Sequence, residues 1–115
     1  MAAKPSKEVL VITKANSSDP IKLEYSTLKK AVMTLRAINH PLRKEIIELV
    51  EEKKQVTVTE IYIKMRLEQS VASQHLAILR RAEVLKTKRD GKFIYYSVNA
   101  KRIDEIAALV EKLAQ

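Results

Sequence analysis

The stretch Leu67-Glu-Gln-Ser-Val-Ala-Ser-Gln-His-Leu-Ala-Ile-Leu-Arg-Arg-Ala-Glu-Val-Leu-Lys-Thr-Lys-Arg-Asp-Gly-Lys-Phe-Ile-Tyr-Tyr-Ser-Val98 changes its hydrophobic period part-way. Up to Ala82 the period is helical. Ala72, Leu76 and Leu79 recur at i, i+4 and i+7, one buried stripe of a helix that starts near Gln69 or Ser70. The opposite face carries Ser70, Ser73, Gln74 and Ala77, all small or neutral-polar. After Ala82 the period is 2. Val84–Arg89 and Lys92–Val98 read as strands rich in β-branched and aromatic residues. Asp90-Gly91 between them is a strong hairpin signal. Gly91 is the only glycine in the chain, so its placement carries information.

Downstream, Asn99 caps a final helix with the apolar stripe Ile103, Ile106, Ala107, Val110, Leu113 and Ala114. Upstream, Gln55-Val56-Thr57-Val58 is a connector. Thr57 or Thr59 can cap a short helix, about Thr59 to Met65, that sends Ile61 and Met65 to the core. Before it, Pro41 opens a helix with Leu42, Ile46, Leu49 and Val50 on one face and a solvated run from Glu48 to Lys54 elsewhere. His40-Pro41 ends a preceding helix, about Ser26 to Asn39. Two readings precede that. Val9–Thr13 pairs as a strand with Ile21–Tyr25, or Asp19 and Pro20 start a helix whose Ile21, Tyr25, Leu28, Val32 and Leu35 recur at 4-3-4-3 spacing. The pattern does not separate them.

Composition bounds the chemistry. The chain has 115 residues, 22 Lys and Arg against 14 Asp and Glu, a net charge of +8 and no Cys. That length supports one domain. Zero Cys excludes disulfides, thiolate metal sites and cysteine nucleophiles. Two His, 35 residues apart in sequence, leave little for a metal. Apolar runs such as Val9–Ile12 are far too short for a membrane span or a signal-peptide core. The expectation is a soluble, intracellular protein not associated with membrane. One glycine leaves no phosphate loop of the usual form, and no nucleophile–base or carboxylate pair is apparent, so an enzyme is not expected. No cofactor is expected.

Helix, helix, short helix, helix, β-hairpin, helix (α-α-α-α-β-β-α) is the order of a winged helix-turn-helix, mostly α with a β-hairpin in the α+β class. Residues 1–20 read as an N-terminal extension, flexible or bracing a dimer. Residues 21–115 read as the DNA-binding domain. A helix fits the major groove of B-DNA if its outer side chains are short and hydrogen-bonding. Ser70, Ser73, Gln74 and Ala77 meet that condition, with Gln69 at the N-terminal end and Arg81 at the far end. Residues 70–98 hold six positive and two negative side chains, half of the chain's net charge. Lys88, Arg89 and Lys92 flank the hairpin tip, where a wing meets phosphate or minor groove. The expected partner is double-stranded DNA. The alternative is a winged-helix protein-interaction module, which the small polar face disfavours.

At this point the sequence resembles the ArsR/SmtB family of bacterial winged-helix repressors. The resemblance lies in Leu35-Arg-Ala-Ile-Asn-His-Pro-Leu-Arg43, Leu67–Leu76, Leu79-Arg-Arg-Ala-Glu-Val-Leu85 and Arg89-Asp-Gly-Lys-Phe-Ile-Tyr-Tyr-Ser-Val98. These are similar to the family's L-x-x-P-x-R lead-in, its S-Q-S-x-x-S-x-H-L recognition helix and its R-x-G-x-x-x-Y-Y wing. The similarity covers about Leu28 to Leu113. It implies a homodimeric repressor on a pseudo-palindromic operator, with first and last helices at the two-fold axis. The dimer residues would be Leu28, Val32, Leu35, Ile106, Val110 and Leu113.

The departures concern sensing. The positions of the family's C-V-C box are Thr57 and Thr59, poor ligands for soft metals. The metal positions of the last helix are Ala100, Arg102 and Leu113, which cannot bind Zn²⁺. Thiol redox sensing needs Cys, and there is none. The effector, whether small molecule or protein, is not readable. Glu83 stands where the family usually has Gly after the recognition helix, so an easy left-handed cap is expected to be lost. His75 is expected to pack or to bond backbone, and His40 to mark a helix boundary. Of Tyr95 and Tyr96, one is expected in the core.

Overall fold

The computed structural model describes residues 9–13 and 19–115. The order is β1 (Val9–Ile12), β2 (Ile21–Glu24), α1 (Tyr25–Ile38), α2 (Pro41–Lys53), α3 (Val58–Lys64), α4 (Gln69–Arg81), β3 (Leu85–Asp90), β4 (Phe93–Val98) and α5 (Ala100–Ala114). The seven elements from α1 onward follow the order read from the periods. The described residues fall into two compact units, one ending at Met33 and the other Thr34–Gln115, with the boundary inside α1.

The first unit decides between the two readings of its sequence. β1 and β2 pair antiparallel, with Leu10 opposite Leu23 and Ile12 opposite Ile21. A helix starting at Asp19 is therefore not formed, and a hairpin precedes the expected seven elements. Val9, Val11, Ile12 and Ile21 are β-branched, stiff at χ1 and suited to a pleated strand. Leu10, Ile12, Ile21 and Leu23 share one face of the ribbon, and all four are exposed. The helical seam begins at Tyr25. What was expected of residues 1–8 and 14–18 lies outside the described residues.

The second unit has a small dry core. Ile46 and Val50 of α2, Ile61 of α3, and Ala72, Leu76 and Leu79 of α4 are fully buried, with Val56, Val84 and Leu85 at 1% exposure or less. Each of the larger side chains contributes roughly 1.5–3 kcal/mol by leaving water. Leu49 joins them, Leu42 is half-buried, and the Glu48–Lys54 side of α2 is largely solvated. His40 caps α2 with its ring. Nδ1 accepts the backbone N–H of Leu42 at 3.1 Å and of Arg43 at 3.5 Å.

The connector between α2 and α3 does more than connect. Val56 pairs with Tyr96, its N–H donating to the Tyr96 carbonyl at 3.1 Å and its carbonyl accepting the Tyr96 N–H at 2.7 Å. A single residue thus extends the β3–β4 hairpin on its β4 side. Tyr96 packs on the core, as does Val98. Tyr95, on the other face of β4, lies with its ring centroid 6.4 Å from that of Phe93.

The hairpin turn falls one residue later than the Asp90-Gly91 reading. Asp90 still pairs with Phe93, and Gly91-Lys92 form the loop. Gly91 has φ +62 while Lys92 has no positive φ. That is the pattern of a type II′ turn, with glycine at the first central position, rather than a type I′ turn.

Candidate nucleic-acid interface

The corner between α3 and α4 is built by backbone hydrogen bonds. Thr57 caps α3, its Oγ1 accepting the Glu60 N–H at 3.3 Å. At the other end, the Leu67 N–H donates to the Tyr62 carbonyl at 2.9 Å and the Arg66 N–H to the Ile63 carbonyl at 3.3 Å. These two bonds are the Schellman closure of a helix, and they need a left-handed residue between them. Arg66 supplies it at φ 56.

α4 ends the same way. The Val84 N–H donates to the Leu79 carbonyl at 3.0 Å and the Glu83 N–H to the Arg80 carbonyl at 2.9 Å. Glu83 stands at φ 63. The expected loss of the left-handed cap does not occur: Glu83 adopts the conformation that glycine favours. Three neighbours hold it there. The Asn99 amide donates to the Glu83 carbonyl at 3.0 Å, and buried Leu79 and Val84 flank the turn. Asn99 also caps α5, accepting the Arg102 N–H at 3.4 Å.

Between these closures α4 turns one face inward and one outward. Ala72, Leu76 and Leu79 are buried, while Gln69, Ser70, Ser73, Gln74, Ala77 and Arg81 are all exposed. Positions 70, 73, 74, 77 and 81 form one strip along the helix. Arg81 lies back along α4, its Nε on the Ala77 carbonyl at 3.4 Å. The wing residues are exposed too, but they do not share a face. By register Lys88 stands opposite Tyr95 and Arg89 opposite Ile94, so the two cations project to opposite sides. Lys92 sits in the turn with Nζ 5.6 Å from the Phe93 ring centroid. Arg89 Nε donates to the Gly91 carbonyl at 3.3 Å. None of the three belongs to an ion pair among the described residues. Their charge is thus available to an anionic partner. Phe93 and Ile94 are 49% and 47% exposed beside them; the sequence pattern did not single them out, although tip residues lie beyond any core.

The two histidines, far apart in sequence, meet. Their ring centroids lie 5.1 Å apart. His75 Nδ1 faces Arg43 Nη1 at 3.3 Å. Of the two roles expected for His75, packing is the one formed, against the His40 ring, and its hydrogen-bond partner is a side chain and not the backbone. Burial, then His40, then Arg43 hold its pKa below the ordinary 6.5. The proline-proximal arginine was part of the family resemblance but was given no role there.

No group of three or more metal-ligating side chains exists among the described residues. Arg102, at one family metal position, instead donates to Thr34 Oγ1 at 3.2 Å and lies 4.0 Å from the Glu83 carboxylate.

This geometry has relatives. The family described as "Bacterial regulatory protein, arsR family" matches residues 40–87. The transcriptional repressor PagR of Bacillus anthracis is 36% identical over 92 residues, which cover 80% of this chain and 92% of PagR. The chain belongs to the ArsR family. Its PagR relative has a crystal structure that superimposes with a TM-score of 0.61 at 37% identity, covering 76% of this chain and 99% of that one. NolR of Sinorhizobium fredii gives a TM-score of 0.62 at 32% identity, over 76% of this chain and 87% of NolR. The transcriptional activator HlyU of Vibrio cholerae is 29% identical over 84 residues, 73% of this chain and 77% of HlyU. The ArsR-family chain is therefore a winged helix-turn-helix DNA-binding transcriptional regulator and not an enzyme. No helix among its described residues is long and apolar enough to cross a membrane.

Proposed function

We propose that this ArsR-family regulator is a homodimeric, sequence-specific repressor that acts in the cytoplasm on nucleoid DNA. The observation that carries the reading is the outward strip of α4. Gln69, Ser70, Ser73 and Gln74 offer short donors and acceptors for base edges, and Ala77 lets the backbone come close. Lys88, Arg89 and Lys92 supply phosphate contacts that fix the register. Arg81 adds a further cation at the end of the strip.

Exposed apolar residues support the dimer. Val110 and Leu113 of α5 are 45% and 71% exposed, and Leu28 and Val32 of α1 are also exposed. Leu35 and Ile106 are half-buried. A second copy would cover such residues isologously. Two recognition helices about 34 Å apart would then read a pseudo-palindromic operator. PagR is named a repressor and HlyU an activator, so the sign of regulation is carried only by the family resemblance. The effector is not expected to be a metal held at the family's usual cysteine and histidine positions, which here are Thr57, Thr59, Ala100, Arg102 and Leu113.

The test is an unbiased selection from a random duplex pool at about 0.15 M salt. Enrichment of a pseudo-palindrome with half-sites one turn apart is expected. Recovery without sequence preference overturns specific regulation. A protein partner retained through nuclease treatment, with no duplex bound, would point instead to an interaction module.

A further inference from the structure

Arg43, on α2, touches two other elements. Its Nε donates to the Ala37 carbonyl at 2.6 Å and its Nη2 to the Arg36 carbonyl at 3.1 Å, both at the C-terminal end of α1. Those carbonyls have no intrahelical partner, so the guanidinium completes the helix end. Its Nη1 faces His75 in the middle of α4, between Ser73 and Gln74 on one side and buried Leu76 on the other.

The chemistry of the donors fixes the protonation state. A guanidinium only donates, so His75 Nδ1 must carry a lone pair, and the ring proton stands on Nε2. His40 Nδ1 likewise accepts, from the backbone N–H groups of Leu42 and Arg43. A proton on His75 Nδ1 removes the acceptor and sets a second cation 3.3 Å from the guanidinium. The groups that bear on the His75 charge are His40 and Arg43, and both oppose it. The ion pairs of this unit, Lys54–Glu51 and Arg102–Glu83, lie elsewhere and offer no compensating carboxylate.

We propose that Arg43 is a positioning residue for DNA binding: it ties the recognition helix to the α1–α2 corner through neutral His75, and a proton on that imidazole releases the tie and weakens binding. The proposal rests on reading α4 as the recognition helix. The depressed pKa of His75 agrees with it. A group whose folded-state value is depressed favours folding in its neutral form; that stabilisation is present above about pH 6.5 and is lost as the pH falls toward the lower folded value. The sign is diagnostic. A basic protein that gains histidine charge should bind a polyanion more tightly in acid. Release of the tie predicts the reverse.

The test uses the full chain, the duplex recovered by selection and constant ionic strength. Wild-type affinity is expected to fall at least about twofold but less than about tenfold between about pH 7.5 and about pH 5.5, because a single imidazole held below pKa 6.5 is less than about nine-tenths protonated at the lower pH. H75Q keeps an acceptor for Arg43 but does not titrate. It should bind within about threefold of wild type at the higher pH and stay flat on acidification. H40N, which keeps an oxygen cap on α2, should retain the wild-type fall. A wild-type affinity that holds or rises in acid overturns the proposal, as does a parallel fall in H75Q. Imidazole ¹⁵N shifts of the free protein give a second readout that needs no DNA. They should report the Nε2–H form of His75, with the Ser73 and Gln74 amides moving along its titration. An Nδ1–H form, or amides that ignore the titration, overturns the tie. Failure to select any duplex, with these shifts as expected, removes the DNA-binding reading and leaves the tie standing.

Discussion

Single residues at special backbone angles shape this molecule. Lys54, Arg66 and Glu83 adopt positive φ without being glycine, while Gly91 serves the wing. A left-handed L-residue costs roughly 1–2 kcal/mol, part of which glycine gives back through its freer unfolded chain. Glu83→Gly is therefore expected to raise unfolding stability by about 0.5–1 kcal/mol, read from the urea midpoint. The substitution also takes the carboxylate away from Arg102. That ion pair spans 4.0 Å and is largely exposed on the Glu83 side, so it is worth little against the gain. A lowered midpoint would mean that the carboxylate does more than its distance suggests.

At the scale of elements, the proposed interface gives α4 and the wing separable roles. Ser73→Glu sets a carboxylate on the exposed strip against phosphate and base-edge acceptors. It should abolish duplex binding while the circular dichroism melt stays within a few degrees of wild type, because Ser73 lies off the buried stripe. Lys88→Ala and Lys92→Ala should each weaken binding to all sequences alike. Each should also flatten the log–log salt dependence by about 0.9; an unchanged slope would remove that lysine from the phosphate contacts. These elements were legible because their periods are clean: Ala72, Leu76 and Leu79 for α4, alternation for the wing. The N-terminal hairpin was only half legible, since Ile21, Tyr25 and Leu28 fit a helical spacing as well as a strand leading into a helix. The Arg43–His75 tie was not legible at all. It joins residues 32 apart through a contact that no local period encodes. The turn at Gly91-Lys92 was missed by one residue because Asp-Gly signals a type I′ turn, and the strand register overruled it.

At the scale of the whole molecule, a small unit with a compact core leaves α5 without a single buried residue. Ile103 and Ile106 of that helix pack half-buried on the core, so the rest of its apolar stripe is where a second copy would stabilise it. Val110→Glu is expected to convert a dimer to a monomer in sedimentation at micromolar concentration, with helix content retained. A wild-type chain already monomeric under those conditions would overturn the dimer, and with it the pseudo-palindrome. The pairing of Val56 with Tyr96 bears on how such a regulator lets go of DNA. Two backbone bonds rivet the wing to the span between α2 and α3, and breaking both costs about 1–3 kcal/mol. The base of the wing is therefore tied to the body of its unit. In the proposed dimer, a signal would act as a wrench on the spacing of two stiff reading heads, leaving each head's own shape intact.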